Sequence, residues 1–205
     1  MIIVGAKGHA EEVLDVLKEQ DLYQNLIFFD NITVTENSYF YDFLLVKNFN
    51  DAREQLFEDR RFILALGGTK KRFCLASDFE GMGGKLTSII SNTASVSKFA
   101  SVGKGVNLMK FAAVLGNAVI GEGVLINSYC SVHHDADVGA YSELSPGSRI
   151  LGNVTLGKMC SVGANAVILP GISVKDNVVI GAGAVVTKDI TESGTYIGSP
   201  ARKIK

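Results

Sequence analysis

The fold is decided by residues 114–168, which read VLGNAVIGEGVLINSYCSVHHDADVGAYSELSPGSRILGNVTLGKMCSVGANAVI. An aliphatic residue returns at every sixth position of this stretch, and the same period continues without interruption from Ile90 to Val186. A smaller residue follows four positions after most of these aliphatic residues, and in a strand both would point to the same face. A short fixed period sustained over such a length predicts a solenoid.

Glycines spaced by eighteen residues indicate how the strands are arranged. Gly103, Gly121, Gly139 and Gly157 form one column in this register. A strand that turns every six residues closes a triangular prism after three strands, so we expect coils of eighteen residues stacked about 4.8 Å apart. Cys130 and Cys160 fall on the small inward positions, which predicts that they pack in the core and do no chemistry.

The composition divides the chain into two parts. Residues 1–87 contain nine of the 11 Phe and no Pro, whereas residues 88–205 contain 15 of the 22 Gly and all three Pro. We therefore predict two domains, residues 1–84 and residues 85–205. In the first, short apolar runs alternate with helical patterns, which predicts a small Rossmann-like βαβ domain with a parallel sheet. Strands are expected at 1–4, 26–29, 43–46 and 62–66, and helices at 10–20, at about 51–57 and after Thr69.

Charge and hydropathy exclude several classes of protein. The formal net charge of −1 argues against nucleic acid as a partner, because such proteins neutralise phosphates with clustered cations. The absence of a long apolar run argues against a membrane partner. The odd number of cysteines and the lack of a basic leader before Ile2 favour a cytoplasmic protein.

His134 is the residue of the repeat that best fits a catalytic role. It occupies a corner position, and the residues eighteen before and eighteen after it are Gly116 and Gly152. Two flanking glycines leave an open notch around an imidazole and expose backbone N–H groups, which suits a general base beside an oxyanion donor. Asp135 could orient the ring through its other nitrogen. The alternative is an ordinary polar corner residue, and for His133 we expect a role in a wall or interface.

The loop Gly5-Ala6-Lys7-Gly8-His9 lies between the first strand and the first helix. Its backbone N–H groups and the helix N-terminus could bind an anion, although a turn that merely requires glycine is the alternative. Asp30 and Gly67 follow two further strands, and ligands of parallel sheets bind at the carboxyl ends of the strands. These features favour a nucleotide-type ligand. A zinc site is not expected, because the repeat has only two adjacent histidines.

Taken together, G-A-K-G-H after the first strand, F-F-D-N after the second, A-L-G-G before Lys71 and Arg72, the hexapeptides with H-H-D, and the G-S-P-A tail resemble one bacterial family. It comprises the sugar O- and N-acyltransferases of the sialic-acid O-acetyltransferase and nucleotide-4-amino-sugar N-acetyltransferase type. The resemblance implies a left-handed parallel β-helix, acetyl-CoA as co-substrate without a metal, and a homotrimer with active sites between subunits. It implies acetyl transfer to a nucleotide-linked amino sugar of the 4-amino-4,6-dideoxy type for surface glycan biosynthesis.

The resemblance also implies roles for individual residues. His134 would be the catalytic base and Asp135 its carboxylate partner, while the Gly152 N–H would bind the thioester oxygen. Ala164 and Ala182 would lie beside the pantetheine of acetyl-CoA. The acceptor would be bound by Gly8, His9, Asp30, Asn31, Gly67 and Asn127.

Two positions depart from the family pattern. Lys7 replaces a small residue of the loop, and Glu143 replaces a histidine that some amino-sugar enzymes carry nine residues after the base. An O-acetyltransferase acting on a sialic acid or another sugar hydroxyl, and a non-catalytic ligand-binding scaffold, remain as alternatives. For the nucleotide-sugar acetyltransferase, we expect the ligands of the two domains to bind separately and to meet at the domain junction.

Overall fold

The computed structural model describes residues 1–32 and 38–205. In the N-terminal part, helices alternate with strands. The elements are β1 (Ile2–Val4), α1 (Gly8–Glu19), β2 (Ile27–Phe29), β3 (Tyr39–Phe40), β4 (Phe43–Val46), α2 (Phe49–Glu58), β5 (Arg61–Leu64), α3 (Thr69–Gly81) and β6 (Lys85–Leu86). The strands form a largely parallel sheet in the order β3-β4-β2-β1-β5-β6. Among the described residues, no helix is long and apolar enough to cross a lipid bilayer.

The predicted strands and helices of this part are present, with boundaries shifted by a few residues. Two short strands were not anticipated. β3 pairs antiparallel with β4, and β6 pairs parallel with β5 as the last strand of the sheet. β6 therefore lies just beyond the predicted limit of the first domain at residue 84, and the domain limits remain a prediction.

The second part is a left-handed parallel β-helix with three faces. The first face contains β7 (Ile89–Ile90), β10 (Asn107–Leu108), β13 (Leu125–Ile126), β16 (Glu143–Leu144), β19 (Ser161–Val162), β22 (Val178–Ile180), β24 (Gly194–Ile197) and β25 (Arg202–Lys203). The second contains β8 (Ser95–Val96), β11 (Ala113–Val114), β14 (Ser131–Val132), β17 (Arg149–Ile150), β20 (Val167–Ile168) and β23 (Val185–Val186). The third contains β9 (Ser101–Val102), β12 (Val119–Ile120), β15 (Asp137–Val138), β18 (Thr155–Leu156) and β21 (Ser173–Val174).

The register confirms the predicted coil of eighteen residues. Leu108 pairs with Ile126, Val114 with Val132, and Ile120 with Val138. From Leu108 onward the aliphatic positions of the period are buried inside the prism, together with the smaller residues that include Cys130 and Cys160. The glycine column lies where the chain leaves the third face.

The N-terminal part packs on the first face of the β-helix. Outward-facing Ile89, Met109 and Leu125 are buried in one cluster with apolar side chains of α1 and the N-terminal sheet. Because the first face is covered, the edge between the second and third faces lies on the opposite side of the prism.

Arg72 of α3 joins the two parts. Its side chain is fully buried, and its guanidinium donates to the carbonyl oxygens of Leu64, Leu66 and Gly123 and to the side-chain oxygen of Asn107. The Asn107 amide in turn donates to the Leu64 carbonyl at 2.7 Å. Burial lowers the pKa of Arg72 to about 10, so the guanidinium remains charged at neutral pH.

Candidate active site

His134 and Asp135 form a hydrogen-bonded pair on the edge between the second and third faces. His134 Nδ1 and Asp135 Oδ2 are 2.8 Å apart, and the His134 side chain is 62% exposed. A carboxylate can only accept, so the proton of the neutral imidazole is on Nδ1 and the lone pair is on Nε2. The pair therefore presents to solvent a nitrogen that can take up a proton.

The conformation of Asp135 is set by the coil before it. The residue has a positive φ of 57°, a region in which aspartate and asparagine are enriched among residues other than glycine. Asn117, one coil earlier, donates from its side-chain nitrogen to Asp135 Oδ1 at 3.1 Å. Hydrogen bonds from His134 and Asn117 lower the pKa of Asp135, which keeps the carboxylate ionised as the partner of the imidazole.

The two glycines that flank His134 differ in their surroundings. A Cβ added at Gly152 would lie 2.5 Å from His134 Cε1 and 2.6 Å from Nε2, so the imidazole rests against the Gly152 backbone. A Cβ added at Gly116 would meet only Ser97 Oγ, at 3.9 Å. The open notch expected from the sequence is therefore open on the Gly116 side, and the ring itself fills the Gly152 side.

A cavity of about 300 Å³ opens at the carboxyl ends of β1, β2 and β5. Of the predicted acceptor-binding residues, His9, Asp30, Asn31 and Gly67 line it. Its lining also includes Val4, Gly5, Ala6, Lys7, Phe29, Ile32, Ala65, Leu66, Lys71 and Leu75. Gly8 does not line it, because it begins α1 and faces solvent.

The lining of the cavity suits a ligand that has both a negatively charged group and an apolar part. Lys7 and Lys71 contribute two cations, and α1 and α3 begin beside it, where backbone N–H groups and the helix dipole favour negative charge. The backbone N–H of Ile32 donates to Asp30 Oδ1 at 2.9 Å, which fixes the turn after β2. The sequence analysis assigned no role to Lys71. Its position in the first turn of the helix that follows Gly67-Gly68 could have indicated that it lies near the ligand.

His9 presents a hydrogen-bond acceptor in this region. Its Nδ1 lies 3.0 Å from Glu12 Oε2, and its Nε2 is buried without a hydrogen-bond partner among the described residues. Burial lowers the pKa of His9, which favours the neutral ring. Because the Glu12 carboxylate accepts from Nδ1, Nε2 is left as an acceptor that no group of the described chain satisfies.

The remaining predicted residues lie on another edge of the prism. Asn127 is buried where the chain leaves β13, and Ala164 and Ala182 stand one coil apart on the edge between the first and second faces. The Gly183 N–H donates to the Ala164 carbonyl at 2.8 Å along this edge. The second face separates these residues from His134, Asp135 and Gly152, so one chain does not bring the two groups together.

Neither His134 nor Asp135 lies at the junction of the two parts in a single chain. The first face, which carries the N-terminal part, is opposite the edge that carries the pair. Within one chain the prism therefore stands between the N-terminal cavity and the His134–Asp135 pair, and the meeting of both ligands at the domain junction stays a prediction.

Three family models match the chain. The PglD N-terminal domain matches residues 1–79, the bacterial transferase hexapeptide (six repeats) matches residues 117–152, and the hexapeptide repeat of succinyl-transferase matches residues 153–188. The chain therefore combines a PglD-type N-terminal domain with hexapeptide repeats of the bacterial transferase type.

Solved structures resemble the chain over its full length. The acetyltransferase domain of PglB from Neisseria gonorrhoeae, in complex with acetyl coenzyme A, is 27% identical with a TM-score of 0.89, covering 99% of this chain and 98% of that one. PerB from Caulobacter crescentus, in complex with CoA and GDP-perosamine, is 28% identical with a TM-score of 0.87, covering 100% of this chain and 96% of that one.

Curated relatives match over a shorter stretch. UDP-3-O-acylglucosamine N-acyltransferase of Delftia acidovorans is 31% identical over 94 residues, which is 46% of this chain and 28% of that protein. The match therefore spans only about a quarter of the length of such relatives.

Proposed function

We propose that the protein transfers the acetyl group of acetyl-CoA to the amine of a nucleotide-linked amino sugar, of the 4-amino-4,6-dideoxy type, for surface glycan biosynthesis. The observation that carries the proposal is the His134–Asp135 pair, whose imidazole lies against the Gly152 backbone. The same chain contains a cavity lined by Lys7 and Lys71, which could bind an anion. Full-length likeness to PglB with acetyl coenzyme A and to PerB with GDP-perosamine supports both ligands.

In the proposed reaction, His134 Nε2 accepts a proton from the acceptor amine as the nitrogen lone pair forms the N–C bond to the acetyl carbon. The C–S bond then breaks, and the proton moves from His134 to the thiolate of CoA. Asp135 holds the Nδ1 proton and stabilises the imidazolium between these steps. The Gly152 N–H is assigned to the oxyanion of the tetrahedral intermediate. Transfer is direct, without an acyl-enzyme.

The N-terminal cavity is assigned to the nucleotide. Lys7, Lys71 and the two helix N-termini provide positive potential for a diphosphate. Asp30, Asn31 and Gly67 line the remainder, and His9 faces the sugar. Gly8 lies outside the cavity, and we assign it a role in the conformation of the loop between β1 and α1.

We infer a homotrimer in which each active site is shared by two subunits. The inference is supported by the division of candidate residues between two edges, with Asn127, Ala164 and Ala182 on one and His134 and Gly152 on the other. When prisms pack side by side, the edge of one can face the edge and the N-terminal cavity of the next. The site is incomplete in one chain.

We further propose that the protein acts in the cytoplasm. Cys74, Cys130 and Cys160 are free thiols, and Cys74 is exposed. An exposed free thiol suits a reducing compartment.

The experiment is a panel of nucleotide sugars incubated with acetyl-CoA while free thiol is followed. Nucleotide amino sugars are compared with matched sugars that carry a hydroxyl at the same carbon, and with free sialic acid. We expect thiol release with an amino-sugar nucleotide. Release only with free sialic acid would identify an O-acetyltransferase, and no release with any acceptor would indicate a scaffold.

A further inference from the structure

Two exposed aromatic side chains stack on the edge between the first and second faces of the β-helix. The rings of Phe111 and Tyr129, which stand one coil apart, have centroids 5.0 Å apart and an interplanar angle of 18°. Phe111 is 52% exposed and Tyr129 is 61% exposed. Large aromatic rings contribute most where they are buried in cores and interfaces, so this stacked pair indicates a contact with something outside the chain.

The backbone at both residues is unfavourable for an aromatic side chain. Phe111 has a φ of 58° and Tyr129 has a φ of 62°, in the left-handed region that bulky residues rarely adopt. Later coils of the same edge have Gly147, Asn165 and Gly183 at this turn position, residue types that adopt it more easily. Strained residues of this kind concentrate at functional sites, where other contacts compensate the strain.

The edge between the third and first faces shows what such a compensating contact is. Tyr141 and Met159 of that edge have φ values of 56° and 53°. Both pack against apolar side chains of the N-terminal part, and Tyr141 is only 6% exposed. Phe111 and Tyr129, by contrast, remain more than half exposed. We therefore expect their cover to come from another molecule.

The second face indicates that this molecule is a second copy of the chain. The first face is already covered by the N-terminal part, and the outward positions of the third face hold one aliphatic side chain, Val119, among Gly, Ser, Asp, Thr and Lys. The second face has five half-buried aliphatic residues outside the prism core, namely Leu115, Leu151, Val167, Leu169 and Val185. Copies that turn this face toward a common axis parallel to the prisms bring the edge between the first and second faces of one copy against the edge between the second and third faces of the next.

The coil of eighteen residues then determines which residues meet. Rotation about an axis parallel to the prisms leaves every residue at its own height. Tyr129 lies in the same coil as His134, about 1 Å away along the prism, and Phe111 lies in the same coil as Gly116. The notch beside His134 is open on the Gly116 side. The aromatic pair of one copy therefore faces the open side of the notch beside His134 of the partner subunit.

We propose that Tyr129, supported by Phe111, forms a wall of the acceptor site whose base is His134 of the partner subunit, and that its ring packs against the apolar face of the acceptor sugar. A rigid aromatic ring removes the C–H face of a sugar from water while its hydroxyl stays solvated. Asn127, which the sequence assigned to the acceptor, precedes Tyr129 by two residues on the same edge. This inference rests on the proposed function and adds a residue to its site.

The first test compares Tyr129→Ala and Tyr129→Phe with wild type. We expect Tyr129→Ala to raise the acceptor KM by about 10-fold or more, because the apolar contact is lost, and to leave the KM for acetyl-CoA unchanged. Tyr129→Phe keeps the ring and should resemble wild type. Phe57→Ala is the matched control, since Phe57 is an aromatic residue of α2 that is 80% exposed. An unchanged acceptor KM in Tyr129→Ala overturns the inference, and so does an equal defect in Tyr129→Phe.

The second test asks whether the wall and the base come from different subunits. Tyr129→Ala and His134→Ala chains are co-expressed in equal amounts and purified as mixed oligomers. If the two residues meet across the interface, random assembly restores intact sites, and kcat/KM for the acceptor should reach about a quarter of the wild-type value. If Tyr129 acts within its own chain, every site with a base lacks the wall, and kcat/KM should stay near about a twentieth of wild type. The lower value overturns the inference.

The proposed function and this inference fail in different ways. If wild type acetylates no amino-sugar nucleotide, the proposed function fails, and thiol cross-linking still tests the assembly. In a Cys74→Ser background, a short bismaleimide should join subunits that carry Phe111→Cys and Asn117→Cys, because these two residues share a coil. The same measurement decides the question if Tyr129→Ala does not fold.

Asn153→Cys in place of Asn117→Cys is the matched control for the cross-linking. Asn117 and Asn153 lie on the same edge with the same φ of 58°, but Asn153 stands two coils further along the prism, about 10 Å away. We expect covalent dimers and trimers in denaturing electrophoresis with Asn117→Cys and monomers with Asn153→Cys. Absence of cross-linking in both variants, or equal cross-linking in both, overturns the inference.

Discussion

At the scale of single residues, the reactivity of His134 depends on the neighbours of its ring. Asp135 fixes the tautomer from one side, and the Gly152 backbone supports the ring from the other. The sequence predicted this arrangement because a fixed period of eighteen places residues 116, 134 and 152 in one column. It could not predict which glycine the ring would contact, because that depends on the His134 rotamer.

The first prediction concerns the base. His134→Ala should lower kcat by about 100-fold or more, because no other group of the pair can take the proton at neutral pH. The variant should keep the thermal stability and the oligomeric mass of wild type, since the side chain is mostly exposed. The effect is measured by steady-state kinetics in which the release of the free thiol of CoA is monitored. Near-normal turnover in the folded variant would remove His134 from the mechanism.

The second prediction compares the two glycines beside His134. Gly152→Ala should lower kcat by about 10-fold or more, because its methyl group would occupy the place of the imidazole and displace the base. Gly116→Ala is the matched control, since its methyl group enters open space. Kinetics of both variants, with a crystal structure of the first, would decide. Equal effects of the two substitutions would show that ring displacement is not the cause.

At the scale of the elements, the hexapeptide period was sufficient to predict strand register, coil length and core. The prediction succeeded because inward positions recur identically in each coil, so one rule describes the prism. In the N-terminal part, by contrast, β3 and β6 are strands of two residues each. Their pairing depends on neighbouring strands more than on local apolar pattern, so the sequence did not indicate them.

The glycine column carries the third prediction. A Cβ added at Gly139 would lie 2.4 Å from the backbone carbon of Gly157, in the next coil. The atoms that this Cβ would meet belong to the backbone of Gly157 and Lys158, which cannot yield as a flexible side chain could. Gly139→Ala should therefore lower the free energy of unfolding by about 1–3 kcal/mol. Chemical denaturation measures this change, with Gly116→Ala as the control. A variant as stable as wild type would mean that the coils separate at little cost.

At the scale of the whole molecule, the two parts are packed as one unit. The N-terminal part covers the outward-facing side chains of Ile89, Met109 and Leu125. Which face would be covered could not be predicted, because all three faces carry outward apolar side chains. A fragment of residues 88–205 would expose these side chains and is expected to aggregate unless another surface covers them.

The last prediction concerns Arg72, which holds the parts together. Arg72→Met retains much of the side-chain volume but leaves the carbonyls of Leu66 and Gly123 without the guanidinium donor in a buried junction, while the Leu64 carbonyl keeps its hydrogen bond from Asn107. The free energy of unfolding should fall by about 3–5 kcal/mol, because buried acceptors left unpaired carry the full cost of desolvation. Arg61→Met is the matched control: Arg61 pairs with Asp59 at 2.7 Å but is half exposed, so its loss should cost about 1 kcal/mol or less. Denaturant unfolding followed by circular dichroism measures both variants. An effect of Arg72→Met no larger than that of Arg61→Met would mean that apolar packing alone joins the two parts, and that the buried guanidinium contributes nothing to their union.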